Sequence, residues 1–133
     1  MARTLKGLRA YQEAPRRPPL PPALAIAGAH GGMLRDYGGT GRPVLFVPSL
    51  INPPNILDLS EEKSLLRWLS GRGHRVLLID WGLEVAARRT FSVSDHSEKI
   101  LLPLIGEIPQ PPALVGYCLG GTMAVAAAVV NPV

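Results

Sequence analysis

The sequence predicts one α/β domain built on a mostly parallel sheet with helices on both faces. Two apolar runs of strand length, Val44–Val47 and Val76–Ile79, each precede a segment that can form an amphipathic helix. A third run, Ala113–Val115, leads through a glycine-rich turn into a helix-forming stretch. Apolar strands that alternate with helices are typical of parallel sheets covered on both faces. A chain of 133 residues is long enough for one modest domain.

Residues 1–42 are expected to form a largely irregular leader rich in proline, glycine and arginine. The proline-rich run Pro15–Pro22 indicates an extended linker, because proline has no amide donor. Residues 23–42 indicate loops or a frayed hairpin. The leader has seven basic and two acidic residues, a net charge of +5, whereas the remaining residues sum to −1. It could bind nucleic acid or an anionic surface. Because it lacks the interleaved aromatic residues that favour binding of single strands, a solvated arm with no nucleic-acid partner is predicted.

The segment that follows the first core strand predicts a loop and then a helix. Ser60 is the expected N-cap, because the two glutamates after it would favour the positive end of the helix dipole. Leu65–Leu69 supplies the apolar stripe of this helix. Gly71 and Gly73 are expected to end the helix, since glycine readily adopts the left-handed cap conformation.

Another helix is expected to begin near Ser94 or Asp95 and to carry apolar residues as far as Ile108. Pro103 falls inside this pattern and predicts a kink or a late start. The last helix is expected over Thr122–Val130.

The segment Gly116–Gly121, Gly-Tyr-Cys-Leu-Gly-Gly, carries the strongest functional signal. A strand, a Gly-x-nucleophile-x-Gly turn and a helix form the nucleophile elbow of α/β-hydrolases, so the N-terminal portion of that fold is predicted. Cys118, the only cysteine, occupies the nucleophile position in a strained backbone conformation. Gly116 and Gly120 are expected to avoid collisions with the neighbouring strand and helix, and Gly121 to extend that clearance. A buried structural cysteine is the alternative.

Two backbone amides are candidates for the oxyanion hole. The amide of Leu119 follows the nucleophile, and the amide of Leu50 lies in the loop after the first core strand. A plain connecting loop is the alternative for Leu50. His30 begins a His-Gly-Gly run similar to an esterase oxyanion motif, but it precedes the first core strand, so no such role is expected.

The remaining polar candidates have structural interpretations. His74 and His96 are expected at the surface, and Asp80 is expected to cap or to bond a loop at the carboxyl edge of the sheet. Trp81 could line a pocket or pack in the core. We predict no metal site.

Together with the elbow, other segments resemble the polyhydroxyalkanoate synthases, the α/β-hydrolase-fold polymerases of bacterial storage polyesters. The resemblance covers roughly residues 43–130, and the similar segments are Pro43–Leu59, Ser64–Leu69, Gly73–Val76 and Gly116–Thr122. It implies that Cys118 attacks a 3-hydroxyacyl-coenzyme A thioester and that a histidine and an aspartate handle protons. It also implies that no cofactor is needed besides this substrate. As partners it implies a second copy of the chain, in a homodimer, and a polyester granule.

Two features depart from the family pattern. Ser49 and Leu50 stand in the middle of a loop whose common form is Pro-Trp-Ile-Asn. In addition, no Asp, Glu or His follows Cys118. Residues 43–133 are therefore expected to be a partial α/β-hydrolase domain that ends just after the elbow helix and is inactive alone. A cysteine-dependent esterase, thioesterase or polyester depolymerase is one alternative. A non-catalytic truncated or granule-binding or partner-binding protein is another.

The cellular location is expected to be the cytoplasm, with association to granules. A single cysteine fits a reducing compartment. The longest apolar run, Met123–Val130, is too short to cross a bilayer, so no transmembrane segment is predicted.

Overall fold

A five-stranded sheet forms the centre of the structure. The computed structural model describes residues 2–15, 18–82 and 89–130. The strands of the sheet are β1 (Leu24–Ala29), β2 (Gly32–Asp36), β3 (Pro43–Val47), β6 (Arg75–Asp80) and β7 (Ala113–Gly116). A separate ribbon pairs β4 (Asp58–Ser60) with β5 (Lys63–Ser64). The spatial order in the central sheet is β1-β2-β6-β3-β7.

The parallel part of the sheet consists of β6, β3 and β7. In the register, Val44 of β3 lies opposite Val76 of β6 on one side and Ala113 of β7 on the other. The three apolar strands predicted from the sequence are therefore confirmed. Because they run in the same direction, their carboxyl ends lie at one edge of the sheet, which we call the carboxyl edge.

A hairpin of β1 and β2 completes the sheet, and both of its pairings are antiparallel. The sheet is thus mixed, with a parallel core and an antiparallel hairpin, and the domain is of the α/β class. His30 (φ 47°) and Gly31 (φ 83°) form the turn. Two successive positive φ values define a type I′ turn, whose twist matches that of a hairpin.

The hairpin corrects the expectation of a largely irregular leader over residues 1–42. Residues 24–36 belong to the sheet, and the frayed-hairpin alternative was the right one for this part. The sequence obscured β1 because its residues, Leu-Ala-Ile-Ala-Gly-Ala, are mostly small and show no alternation of polar and apolar side chains. The domain boundary at residue 43 stays a prediction.

Helices cover both faces of the sheet, as predicted. Successive strand residues point to opposite faces, so each of β3 and β6 contributes to two apolar clusters. The larger cluster contains Leu45 and Ile79 with side chains from the segment 100–108 and from the last helix. The smaller cluster contains Phe46 and Leu78 with Leu66.

The helix α2 spans Leu65–Ser70 and begins later than predicted. Ser64, not Ser60, is its N-cap, because the Ser64 hydroxyl oxygen accepts a hydrogen bond from the Arg67 amide at 3.0 Å. Leu66 is fully buried, whereas other apolar side chains of the predicted stripe are exposed. The cap was misplaced because both serines precede an apolar run, and only the hydrogen bonding separates them.

Ser60 is instead the last residue of β4, the strand that directly follows a 3₁₀ turn over Pro54–Leu57. Its hydroxyl donates to a Glu62 carboxylate oxygen at 2.9 Å and accepts from the Lys63 amide at 3.2 Å. Such local side-chain bonds compete with helix formation, which explains why the two glutamates are not helical.

Only one of the two glycines after α2 has the expected conformation. Gly71 has φ −63°, which is right-handed, so its predicted left-handed cap is wrong. Gly73 has φ +90° and donates its amide to the Ser70 carbonyl at 2.9 Å. Gly73 therefore makes the reversal that leads into β6.

The helical segment before β7 changes its winding next to Pro103. It consists of α3 (Val93–His96), a π-helical turn (Ser97–Leu101) and α4 (Leu102–Gly106). A proline has no amide donor, and its ring collides with the carbonyl group four residues earlier in a regular α-helix. The wider π-turn accommodates this, so Pro103 does not delay the start of the helical segment, and the predicted kink stays a prediction.

The start of this segment lies slightly before the predicted one. Ser92 is the N-cap: its hydroxyl accepts from the Asp95 amide at 3.1 Å, and the Asp95 carboxylate accepts from the Ser92 amide at 2.8 Å. This reciprocal pair is a capping box.

Two helices of 12 residues each lie near the ends of the chain, α1 (Ala2–Glu13) and α5 (Leu119–Val130). The helix α1 is a second correction to the irregular leader. Three side chains of α5 pack in the core, and its outer side carries exposed valines. No helix in the described ranges is both long and apolar enough to cross a membrane.

The guanidinium of Arg67 links α2 to β4. Its Nε and Nη2 donate to the two carboxylate oxygens of Asp58 at 2.9 and 3.0 Å, and Nη2 also contacts the Pro21 carbonyl at 3.3 Å. Burial acts to raise the pKa of Asp58, but hydrogen bonds from Arg67 and Ser64 outweigh it, and the pKa lies below its usual 3.8. Burial and the neighbouring Asp58 raise the pKa of Tyr37 to about 12.

We expect Arg67→Met to destabilise the chain by about 1 kcal/mol at neutral pH. Because folding lowers the pKa of Asp58, its stabilisation is complete above the unfolded pKa and is lost as the pH falls through the folded pKa. The difference between wild type and variant should therefore shrink below about pH 4. Urea unfolding at several pH values measures it. Arg72→Met is the control. Arg72 Cζ lies 4.1 Å from the centre of the Trp68 ring, which does not titrate, so the effect of this variant should not change with pH. A difference for Arg67→Met that is constant into strong acid would contradict this expectation.

Candidate active site

The turn between β7 and α5 places Cys118 at the carboxyl edge of the sheet. β7 ends at Gly116 and α5 begins at Leu119, so only two residues separate strand from helix. Cys118 has φ +56° and is exposed. For a residue with a side chain, this left-handed conformation is uncommon and strained. The predicted strained elbow is thus present in the backbone.

Two hydrogen bonds hold this turn. The Gly120 amide donates to the Tyr117 carbonyl at 3.1 Å, and the Gly121 amide donates to the Cys118 carbonyl at 2.9 Å. They close the first helical turn directly behind the thiol. The sulfur therefore lies at the N-terminal end of α5, where backbone amides point outward.

Close backbone packing explains two of the three glycines. A Cβ added to Gly116 would lie 2.7 Å from the Gly121 nitrogen. A Cβ added to Gly120 would overlap the Val47 carbonyl oxygen and lie 2.7 Å from the Pro48 carbonyl carbon. Neither position has room for any side chain, as predicted.

Gly121 differs from the expectation. A Cβ there would have its nearest neighbours, the carbonyl atoms of Gly116, at 3.8 Å, which is ordinary contact. The Gly121 backbone lies close to Gly116, and this contact is why Gly116 has no room for a side chain. Gly121 itself has room for one.

The loop after β3 lies against the elbow. The Tyr117 amide donates to the Val47 carbonyl at 3.0 Å, and the contact of Gly120 with Pro48 adds a second point of approach. The indole of the buried Trp81 donates to the Pro48 carbonyl at 3.0 Å. Ser49 is 1% exposed, and its hydroxyl accepts from the Ile51 amide at 3.2 Å. These bonds fix the loop beside Cys118.

The two candidate oxyanion donors belong to these adjoining segments. Leu119 is the first residue of α5, so its amide has no carbonyl four residues earlier within the helix. Leu50 lies in the fixed loop and is partly buried. Neither amide donates one of the turn and loop hydrogen bonds recorded for the described ranges. Their role as oxyanion donors stays a prediction.

The histidines lie in three different places. His30 is in the hairpin turn, with its ring 5.9 Å from that of Phe91. His74 is exposed and precedes β6, at the edge opposite the elbow, as predicted. His96 is partly buried, which corrects the expectation of a solvated residue, and its Nδ1 donates to the Ser92 carbonyl at 2.8 Å.

An aromatic cluster surrounds His96 and was missed in the sequence. The His96 ring meets Phe91 edge to face at 5.5 Å and Trp81 at 6.2 Å. Phe91 and His96 are close in sequence, and the fold brings Trp81 to them. Because Trp81 also bonds the Pro48 carbonyl, the cluster supports the loop beside the elbow.

Asp80 has the structural role that was predicted, with an addition. Its carboxylate accepts from the Gly82 amide at 2.9 Å, which is loop bonding. It also accepts from Arg35 Nε at 2.6 Å, and Arg35 reaches back to the Ala23 carbonyl at 2.9 Å. Asp80 thereby ties the hairpin strand β2 to β6.

A cavity of about 550 Å³ opens at the same edge. It lies among the loop 50–55, the residues 80–82 at the end of β6 and the proline-rich segment around Pro19. Trp81 lines it and is also 6% exposed, so both predicted interpretations of Trp81 apply. Among the described residues, no group of three metal-ligating side chains is gathered at one place.

Comparison with known proteins relates the chain to one class of enzyme. No protein-family model matches the chain. The poly(3-hydroxyalkanoate) polymerase subunit PhaC of Haloarcula marismortui is 36% identical over 88 residues, which is 62% of this chain and 18% of that protein. The corresponding subunit of Haloferax mediterranei is 34% identical over 95 residues, or 68% of this chain and 19% of that protein. These similarities support membership of the chain in the poly(3-hydroxyalkanoate) polymerase family.

Relatives from bacteria extend the similarity. The polymerase subunit of Cupriavidus necator is 34% identical over 88 residues, which is 62% of this chain and 15% of that protein. This chain therefore spans less than a fifth of the length of each of these three polymerases. The similarity is thus to one segment of each polymerase, and the rest of each polymerase is not matched by this chain.

Proposed function

We propose that Cys118 is the nucleophile of a polyhydroxyalkanoate synthase-like acyltransferase that acts on 3-hydroxyacyl-coenzyme A thioesters. The observation that carries the proposal is the backbone of Cys118: an exposed thiol at φ +56° between a strand end and a helix start. The same features support assigning the sheet to the N-terminal portion of an α/β-hydrolase fold. Membership in the polymerase family supports the substrate class.

The chemistry follows from the properties of sulfur. The Cys118 thiolate attacks the thioester carbonyl, the amides of Leu119 and Leu50 stabilise the oxyanion, and the C–S bond to coenzyme A breaks. The acyl group is then held on Cys118 and coenzyme A leaves as a thiolate that takes a proton. Because a thiolate is also a good leaving group, the acyl group can pass to the hydroxyl of another hydroxyacyl unit. No cofactor is required for these steps.

Proton transfer needs groups other than those that follow Cys118, since residues 119–133 contain no Asp, Glu or His. The chain is therefore proposed to accept one acyl group and to lack sustained turnover by itself. A homodimer and a cytoplasmic polyester granule belong to the same proposal, and their support is the family alone.

The test is a single-turnover experiment with 3-hydroxybutyryl-coenzyme A. Coenzyme A released per chain is separated by chromatography and followed with time. Any free thiol exchanges slowly with a thioester, so the urea-unfolded chain supplies the background. We expect about one equivalent at a rate at least tenfold above that background. Equal rates for folded and unfolded chain would favour the non-catalytic alternative.

The fate of the acyl group separates synthase from hydrolase. The acylated chain is freed of substrate and incubated in buffer. A bound acyl group that is stable to water and moves to added 3-hydroxybutyrate supports the acyltransferase. Rapid release of free hydroxy acid would support the cysteine-dependent hydrolase instead.

A further inference from the structure

The helix α1 stands apart from the rest of the fold. Every described side chain of the helix, from Thr4 to Glu13, is exposed to solvent. Three of these side chains are large and apolar: Leu5 is 57% exposed, Leu8 53% and Tyr11 74%. An isolated helix of this length is marginal in water, because tertiary packing normally supplies most of its stability. A surface that covers the apolar side chains would stabilise it.

The side chains of α1 are arranged in two adjacent faces. Leu5, Leu8 and Tyr11 follow one another at intervals of three residues, so at 3.6 residues per turn they occupy roughly one third of the circumference. Lys6 and Arg9 share the same spacing and lie on the neighbouring part of the helix, where Glu13 also falls. The helix is therefore apolar on one side and carries a net positive charge beside it.

We propose that α1 docks on an anionic lipid surface. A helix with leucines on one side and basic residues beside them lies in the interface plane, with its apolar side among the acyl chains and its cations at anionic headgroups. Tyrosine suits the same boundary, since its ring is apolar and its hydroxyl is polar. Charge complementarity is the argument for an anionic surface, and it does not depend on the chemistry of Cys118.

The connection of α1 to the domain fits this role. Proline-rich chain follows the helix, and such chain forms an extended spacer. Arg67 holds the far end of the spacer to the domain through the Pro21 carbonyl at 3.3 Å. The helix can thus lie on a surface while the sheet keeps its own packing.

Vesicle sedimentation tests the proposal. The full chain is mixed with vesicles of phosphatidylcholine that contain either a third of phosphatidylglycerol or none. We expect binding to the anionic vesicles to be at least tenfold stronger, and to weaken with salt. A gain in helical circular dichroism should accompany binding. Equal binding to both vesicle types, or no binding, would overturn the proposal.

Matched double variants assign the binding to α1. Lys6→Glu/Arg9→Glu should weaken binding roughly tenfold or more, whereas Arg42→Glu/Lys63→Glu, with the same change in net charge at exposed sites outside α1, should have a smaller effect. Leu5→Ala/Leu8→Ala should also weaken binding, and Ile56→Ala/Leu59→Ala, which truncates exposed apolar residues elsewhere, should not.

Nucleic acid and a second copy of the chain are the other possible partners of α1, and each predicts a different experimental result. Binding of single-stranded DNA, lost in Lys6→Glu/Arg9→Glu without any vesicle binding, would show a nucleic-acid partner and contradict the proposal. Self-association in the absence of vesicles, lost in Leu5→Ala/Leu8→Ala, would show that a second copy covers the leucines. Neither result bears on acyl transfer, so failure here leaves the function of Cys118 unaffected.

Discussion

Replacing Cys118 with alanine should abolish the fast release of coenzyme A from 3-hydroxybutyryl-coenzyme A. The acyl group then has no sulfur to accept it, and the loss should be about a hundredfold or more. Because Cys118 is the only cysteine of the chain, no other thiol can replace it. The measurement is the amount of coenzyme A formed within the first turnover, separated by chromatography.

The matched control is Thr122→Ala. Thr122 is an exposed residue in the first turn of α5, and it belongs to none of the close contacts of the elbow. This variant should release coenzyme A at the wild-type rate. If Cys118→Ala released it as fast as the wild type, Cys118 would have no part in the reaction.

Replacing Gly120 with alanine should be the most damaging single change to the fold of the elbow. The added methyl group overlaps the Val47 carbonyl oxygen and the Pro48 carbonyl group, and these are backbone atoms that cannot rotate away. We expect a loss of about 3 kcal/mol or more in the free energy of unfolding. Urea denaturation followed by circular dichroism measures it.

Gly121→Ala is the matched control for Gly120→Ala. The neighbouring glycine has its nearest atoms at 3.8 Å, so a methyl group fits there. Alanine also has a higher helix propensity than glycine, and the stability should be unchanged or should rise by up to about 1 kcal/mol. Equal losses for the two variants would show that a general intolerance of the turn, and not the contact with Val47 and Pro48, governs this position.

The same pair of variants also tests whether geometry activates the thiol. Gly120→Ala keeps Cys118 but disturbs the turn that places it. Its acylation rate should fall toward that of the unfolded chain, while Gly121→Ala should retain the wild-type rate. A fast reaction in Gly120→Ala would mean that the elbow contributes little beyond a free thiol.

The parallel core and the elbow could be predicted because their signals are local. Val44–Val47 and Val76–Ile79 are uninterrupted apolar runs, and glycines two residues before and after Cys118 mark a tight turn between strand and helix. The hairpin of β1 and β2 lacked such a signal. Its strand β1 is short of large side chains, and its place in the sheet depends on pairing of β2 with β6, about forty residues later.

The surroundings of the site could not be predicted, because they too depend on contacts between residues that are distant in the sequence. The bond from Trp81 to Pro48 joins residues 33 positions apart, and the ring of His96 meets Trp81 only in the folded chain. The choice between Ser60 and Ser64 as the cap of α2 depended on which hydroxyl meets an amide, and the sequence pattern allowed both. Local patterns thus predicted the turn that carries Cys118, and long-range contacts determined what supports that turn.

The most direct test of the central claim is mass spectrometry of the peptide that contains Cys118 after brief reaction with 3-hydroxybutyryl-coenzyme A. We predict one 3-hydroxybutyryl group in thioester linkage to the Cys118 sulfur in the folded chain. The group should be removed by hydroxylamine and should form far more slowly in the urea-unfolded chain. A folded chain whose Cys118 stays unmodified, or is modified no faster than in the unfolded chain, would contradict the assignment of Cys118 as an acyl-accepting nucleophile.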